Sequence, residues 1–299
     1  MSLFDRAVVA ALPWVPRSLV RRFADPYIAG ETLGDAMRTV EQLDRRGIRT
    51  TLDLLGEHIE RIEQADAPRD GYLVALGEIG KSGLPATISV KLTQLGLYLD
   101  EDACYRNIRA LVAEGQTLGV GVAIDMEESA VTTRTLSIFR RLRSEFDNIS
   151  TVLQAMLRRT VDDAVALGDL SPSIRVCKGI YVEPREIAYQ GAEEVRTSYL
   201  ETAKAVLDSG GFVAFATHDD VLVERCKGLI RERSLDGSRF EFQMLLGVRE
   251  ELRDKTVAEG YPLRVYVPFG QEWYAYSVRR MRENPRVAGM VARAVLGLE

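Results

Sequence analysis

Residues 186–233 read EIAYQGAEEVRTSYLETAKAVLDSGGFVAFATHDDVLVERCKGLIRER, and this stretch holds one full period of the architecture. Its first part, 186–209, sets Ile187, Val195, Leu200, Ala203 and Val206 on one stripe at helical spacing, and Gly210-Gly211 ends it. The run 212–217 that follows is short and apolar, as in a strand covered on both faces. A helical pattern then resumes over 219–233.

Outward from this unit the alternation repeats. Short runs rich in Val, Ile, Leu, Phe or Thr occupy 51–55, 87–92, 120–125, 150–156, 174–179, 240–246 and 263–269. Between them, 132–146 carries Leu136, Phe139, Leu142 and Phe146 opposite an arginine-rich face, and 249–259 continues the helical spacing. Parallel strands need helical crossovers, so eight such runs predict a closed (β/α)8 TIM-like barrel with extra N-terminal helices. A doubly wound open sheet would bring a glycine-rich first turn, which is not found. The expected division is an N-terminal helical segment, 1–46, packed on a catalytic barrel, 47–299.

Composition sets the frame for partners. The 299 residues are 46% hydrophobic and 28% charged, ordinary for a soluble globular chain with a large core. A formal net charge of -5 gives no basic footprint for nucleic acid. Cys104, Cys177 and Cys226 form no CxxC pair, which fits free thiols in a reducing, cytoplasmic compartment. The apolar run 7–15 follows Asp5-Arg6 and precedes Pro16-Arg17, where a leader would carry small cleavage-site residues. Beyond it, Trp14, Val15, Leu19, Val20 and Phe23 interleave with Arg17, Arg21 and Arg22. The pattern fits a helix packed on its own domain, with a membrane surface or partner chain as the alternative. Oligomeric state is open, and a homo-oligomer is compatible with the pattern.

Common catalytic motifs are absent. His58 and His218 are the only histidines, and there is no HExxH pattern, cysteine cluster or GxSxG elbow. The acidic group Asp125-Met126-Glu127-Glu128 lacks a second carboxylate cluster, so no metal is expected. Residues 77–82, GEIGKS, look like a phosphate loop but have Ala75 where the first glycine belongs.

What recurs is polar residues at strand ends, where barrel chemistry sits. Asp53 and Glu57 end the first run, Lys91 the second, Asp125 the third and Gln154 the fourth. Arg175 and Lys178 follow in the fifth, Thr217-His218 in the sixth, Gln243 in the seventh and Tyr266 in the eighth. Polar groups in apolar strands are costly unless they bind each other or a ligand, so a shared pocket is expected. The helix after the last run adds Tyr276, Arg279, Arg280 and Glu283, spaced one turn apart. An isolated RRxxE is ordinarily a solvated face. Beside a barrel mouth, with Lys91 opposite, the paired guanidiniums would clamp a small carboxylate.

With these motifs in order, the chain resembles the FAD-dependent proline dehydrogenase family in its short, single-function form, from about Gly47 to Glu283. The most specific piece is residues 276–284, YSVRRMREN, which is similar to the family's YxxRRxxEN signature. LDLLGE, SVKL, AIDMEES, VLQAML, RVCKGIY, FATHDD, FEFQML and VYVPFG occur in order before it.

The resemblance implies oxidation of L-proline to Δ1-pyrroline-5-carboxylate by hydride transfer to N5 of FAD. Arg279, Arg280 and Lys91 would hold the proline carboxylate, with Glu283 beside them. Tyr266, Tyr276 and Leu245 would wall the ring. Asp125 and Arg175 would be the catalytic pair, Asp125 orienting a tyrosine and an arginine. Arg175 and Gln154 would contact the flavin, supported by Met126, Lys178, Gly179 and Ile180, and Thr217, His218 and Gln243 would hold other parts of FAD. Glu57 would pair with Arg279 as a gate in the empty site. Ile180, Met156 and Asp219 stand where many relatives carry alanine, tyrosine and asparagine.

By family analogy the electrons pass to a quinone, with the protein peripheral to the inner membrane, and a separate pyrroline-5-carboxylate dehydrogenase acts next. The reactive amine must be neutral, and a cationic pocket would favour that form. The rivals are a hydroxyproline dehydrogenase, a non-catalytic carboxylate-binding barrel, and an aldolase using Lys91 or Lys178 as a Schiff-base amine.

Overall fold

The structure, a computed structural model, describes residues 21, 25–56, 59–274 and 276–277. The apolar run 7–15, most of the basic segment after it, Glu57, His58, Arg279, Arg280 and Glu283 lie outside the described residues.

Eight parallel strands close into a barrel in chain order. They are β1 (Arg49–Leu54), β2 (Ala86–Val90), β3 (Val122–Ile124), β4 (Ile149–Gln154), β5 (Ser173–Cys177), β6 (Phe212–Ala216), β7 (Phe240–Leu245) and β8 (Leu263–Phe269). All eight expected runs are strands, with ends displaced by at most two residues. Closure is made by β8 beside β1, with Thr51 opposite Tyr266 and Asp53 opposite Pro268.

Seven helices cross between successive strands: α2 (Asp66–Ser82), α3 (Glu101–Leu118), α4 (Ser129–Arg143), α5 (Thr160–Ala166), α6 (Ala192–Asp208), α7 (Asp220–Glu232) and α8 (Glu250–Ala258). They are preceded by α1 (Leu33–Asp44). A capping box starts α1, Thr32 accepting from the Asp35 N–H while Asp35 accepts from the Thr32 N–H. The face carrying Ala36, Val40 and Leu43 packs against β1 and β8, so α1 covers the closure seam from outside. No helix of the described residues is long and apolar enough to cross a membrane.

Two helix starts differ by more than one residue from the sequence expectation. The stripe from 186 does not begin α6; the helix starts at Ala192 because Gly191 is its N-cap and Glu194 turns back to accept the Gly191 N–H. Residues 186–190 instead tie to the β4–α5 connection, Leu157 bridging to Ala188, and Ile187 is exposed. Helix α4 starts earlier than expected, at Ser129, whose N–H and hydroxyl both donate to the Glu183 carboxylate at 2.7 Å. A cap supplied from 54 residues away leaves no local signal.

Strand alternation divides the barrel into two environments. One set, including Leu52, Ile88, Val122, Ile174, Val213, Phe242 and Val265, is buried in a continuous apolar core with the helices. The other set, including Thr51, Asp53, Ser89, Arg175, Glu241, Gln243, Arg264 and Tyr266, meets along the barrel axis. Many barrels fill that axis with branched apolar side chains. Here it is ionic and hydrogen-bonded.

Candidate active site

A cavity of about 690 Å3 opens at the C-terminal mouth. Its floor is a cluster centred on Asp125. One carboxylate oxygen accepts from Ser89 Oγ at 2.6 Å and from the Arg175 guanidinium at 2.7 Å. The other accepts from the Tyr266 hydroxyl at 2.7 Å and from Lys91 Nζ at 3.3 Å. Lys91 also donates to Asp53 at 2.8 Å, and the Tyr72 hydroxyl donates to the Ser89 carbonyl at 2.8 Å beneath it.

Parity of the strands explains this convergence. Ser89 faces inward from β2 and Lys91 follows the strand's end two residues on, Asp125 follows β3, and Arg175 and Tyr266 face inward from β5 and β8. Arg175 also lies over the Tyr266 ring, 5.3 Å from its centroid, so ring and guanidinium fix each other.

The charges are stable only together. Burial alone would raise the Asp125 carboxyl, but Lys91, then Arg175, and hydrogen bonds from Ser89 and Tyr266 outweigh it and hold its pKa at about 2. Burial would lower the Lys91 ammonium, and Asp53 and Asp125 reverse that and raise it. Burial, Asp125 and Asp53 push the Tyr266 phenol well up, so it stays a donor at neutral pH.

Around this floor the remaining candidates line the same cavity. Gln154 ends β4, its amide donating to the Glu127 carbonyl at 2.8 Å. Arg175 donates through Nε to Gln243 Oε1 at 2.6 Å. Lys178 reaches Asp219 at 3.3 Å. His218 accepts the Leu245 N–H on Nε2 at 2.9 Å, which puts the neutral ring's proton on Nδ1. Thr217 accepts the Asp219 N–H, and Asp219 caps α7.

Gly179 turns the chain with φ +101°, and an added Cβ would lie 2.5 Å from the Met156 sulfur, so two neighbouring features of the wall are fitted to each other. Met126 and Ile180 add apolar surface. Tyr276 comes over the mouth and packs with Ile28 and Leu55. Thus Lys91, Asp125, Met126, Gln154, Arg175, Lys178, Gly179, Ile180, Thr217, His218, Gln243, Leu245, Tyr266 and Tyr276 share one cavity. Glu57, Arg279, Arg280 and Glu283 lie outside the described residues.

Several contributors carry no role in the sequence expectation. Asp53 was visible at a strand end without a partner; the partner is Lys91. Ser89 and Glu241 lie two residues before Lys91 and Gln243, so strand parity alone could have turned them inward. Glu127 is buried against Thr93, and burial raises its carboxyl despite the Thr93 hydrogen bonds. Nor is the described pocket cationic: Lys91, Arg175 and Lys178 are each matched by Asp53, Asp125 or Asp219.

The family model described as proline dehydrogenase matches residues 36–293. The chain belongs to the proline dehydrogenase family. Its short form agrees with the proline dehydrogenase relatives. Proline dehydrogenase 1 of Bacillus subtilis (strain 168) is 36% identical over 270 residues, covering 90% of this chain and 89% of that protein. Proline dehydrogenase of Deinococcus radiodurans is 35% identical over 304 aligned residues, covering 98% of each. The bifunctional protein PutA of Escherichia coli (strain K12) is 28% identical, covering 92% of this chain but 24% of the longer protein. Among solved structures, proline utilization A of Bdellovibrio bacteriovorus, inactivated by N-propargylglycine, superposes with a TM-score of 0.86 at 23% identity. It covers 95% of this chain and 36% of that one, a likeness of fold.

Proposed function

We propose that this chain oxidises L-proline to Δ1-pyrroline-5-carboxylate with FAD as cofactor, the 47–299 barrel being catalytic and 1–46 a helical segment laid on it. The Lys91–Asp125–Arg175–Tyr266 cluster at the mouth of a barrel of this family carries the reading. The packing of α1 on the seam supports the division.

The residues fit a flavin. The cavity volume lies within the roughly 300–1,000 Å3 of small-molecule sites. Its wall sets the polar groups of Gln154, Arg175 and Gln243 among apolar Met126, Val152 and Met244, as a flat ring with polar edges requires. Lys178, half-exposed with Gly179, Ile180, Thr217 and His218 around it, suits the phosphate-bearing outer part. When bound, FAD supplies the acceptor for the hydride leaving the carbon beside nitrogen.

The protein's own groups position the substrate. Tyr266, Tyr276 and Leu245 wall the ring, and Asp125 fixes Tyr266 and Arg175. Arg279 and Arg280, with Lys91 and Glu283, would hold the carboxylate, and Glu57 would pair with Arg279 when no substrate is bound. Asp125 is ionised but accepts four donors, and Tyr266 and Lys91 keep their protons, so these groups offer no free base. The amine therefore reacts neutral, its proton going to solvent, and any cationic bias comes from Arg279 and Arg280. Tyr266, held from two sides, leaves less room for a ring hydroxyl and favours proline over hydroxyproline. Reducing equivalents go to a quinone at a membrane surface, and a separate pyrroline-5-carboxylate dehydrogenase takes the product from this cytoplasmic, inner-membrane-peripheral enzyme.

The test is a visible spectrum. Purified protein should be yellow, and L-proline without oxygen should bleach the flavin band. A colourless protein that takes up no FAD would falsify the reading. Arg280→Ala should raise KM for proline with little change in flavin content, by the roughly 2–5 kcal/mol of a lost buried charge partner; an unchanged KM removes that arginine from the substrate.

A further inference from the structure

We propose that Glu241, which sits below the pocket floor, is a positioning residue that fixes the direction of the Gln243 amide and through it aims Arg175. The inference rests on the reading that Arg175 and Gln243 face a flavin.

Glu241 and Gln243 are alternate residues of β7, so both point into the barrel. Glu241 is 2% exposed. One carboxylate oxygen accepts from Arg264 Nε at 2.6 Å and from Gln243 Nε2 at 2.7 Å, and the other faces Arg49 at 3.4 Å. On its far side Gln243 Oε1 accepts from Arg175 Nε at 2.6 Å, and Arg175 continues to Asp125 at 2.7 Å. The chain of bonds runs Arg264, Glu241, Gln243, Arg175, Asp125.

An amide has one donating and one accepting end, a carboxylate only accepts, and a guanidinium only donates. Gln243 therefore sits between an obligate acceptor and an obligate donor, and one of its two orientations satisfies both. The flipped amide would set NH2 against the guanidinium and oxygen against the carboxylate, losing two buried hydrogen bonds. Burial opposes the ionised Glu241, but Arg264 outweighs burial and lowers the carboxyl, so the acceptor is permanent at neutral pH.

The location separates this role from direct contact. A second cavity of about 210 Å3 lies on the N-terminal side and is lined by Glu241, Arg264 and Arg49. It shares Arg175 and Gln243 with the upper cavity. Those two side chains are the partition, and Glu241 stands on the side away from the ligand.

The test measures FAD affinity of apoprotein by quenching of flavin fluorescence, alongside the melting temperature of the apoprotein. Glu241→Met/Arg264→Met removes the buried ion pair, and Arg49, which loses its 3.4 Å contact, is half-exposed and keeps its water. It should weaken FAD binding roughly tenfold in folded protein, the size of one misdirected buried hydrogen bond. In a Gln243→Met background the same pair of changes should cost nothing further, because the intermediary is gone. Glu241→Lys/Arg264→Glu keeps a buried pair but offers Gln243 a donor, and should weaken binding more than the methionine pair. If the methionine pair fails to fold, this reversed pair decides on its own. Folded variants binding FAD like wild type, or losses that add to that of Gln243→Met, overturn the inference while leaving the flavin reading intact. Wild-type protein that takes up no FAD ends both.

Discussion

Two lysines in this barrel, Lys91 partly buried on the axis and Lys227 fully buried in the outer ring, are neutralised in opposite ways. Lys91 sits on the axis with Asp53 at 2.8 Å and Asp125 at 3.3 Å, carboxylates whose side chains are 1% and 12% exposed. Lys227 sits on α7 in the outer ring, its stem buried and its ammonium 5.5 Å from the Tyr261 ring centroid. Its partners, Glu224 at 2.9 Å and Glu259 at 2.6 Å, are 56% and 37% exposed. The outer lysine is itself 2% exposed, but its charge is met by carboxylates that keep much of their water. On the axis all partners are desolvated, and each charge persists only because the others are there. A group held this way is poised to meet a ligand, whereas the outer one holds α7 against the end of α8.

The comparison breaks most visibly if Lys91 can be removed cheaply. Lys91→Met strands the buried Asp53 carboxylate and leaves Asp125 to Arg175 alone among cations, and should cost about 3–5 kcal/mol in urea unfolding. Adding Asp53→Asn should recover part of that loss, since the stranded charge is neutralised. A loss no larger than that of a surface ion pair would mean the axis is far wetter than its geometry implies.

Acid sharpens the contrast. The Asp125 carboxyl is held at about 2, below its ordinary 3.8. A folded-state value lowered in this way gives stability that is present above about pH 4 and lost as pH falls toward 2. The loss should be on the order of 2 kcal/mol, read from urea midpoints across that window. In Asp125→Asn this part of the acid dependence should vanish. If the variant and wild type lose stability in parallel, other carboxyls account for the acid response.

These contrasts bear on what the sequence could disclose. The strands were legible because their outward residues, such as Ile88, Val213 and Val265, are apolar in short runs with helices between. Site residues at strand ends were legible because Lys91, Asp125 or Arg175 inside an apolar run demands a partner. Pairing was not legible. Nothing local says that Lys91 meets Asp53 across 38 residues, or that Arg264 neutralises Glu241. The start of α6 was missed because the apolar spacing at Ile187 continued past a glycine cap, and the start of α4 because Glu183 supplies it from another loop. Periodicity reports which face is buried; it does not report which charged groups share the burial.

Lys227 supplies the smallest expected effect and the strictest control. Methionine keeps the length and apolar stem of the lysine, so Lys227→Met preserves packing beside Tyr261 and removes only the ammonium. Glu224 and Glu259 are then left single, but both face solvent and recover hydration. The loss should stay within about 1 kcal/mol, the range of exposed ion pairs, and should shrink further in high salt. Glu224 and Glu259 raise the ammonium over the opposing pull of burial, so what stability it gives is present at neutral pH and fades only above the ordinary lysine range. A loss approaching that of Lys91→Met, insensitive to salt, would show that exposure of the partner carboxylates is not what separates the two lysines.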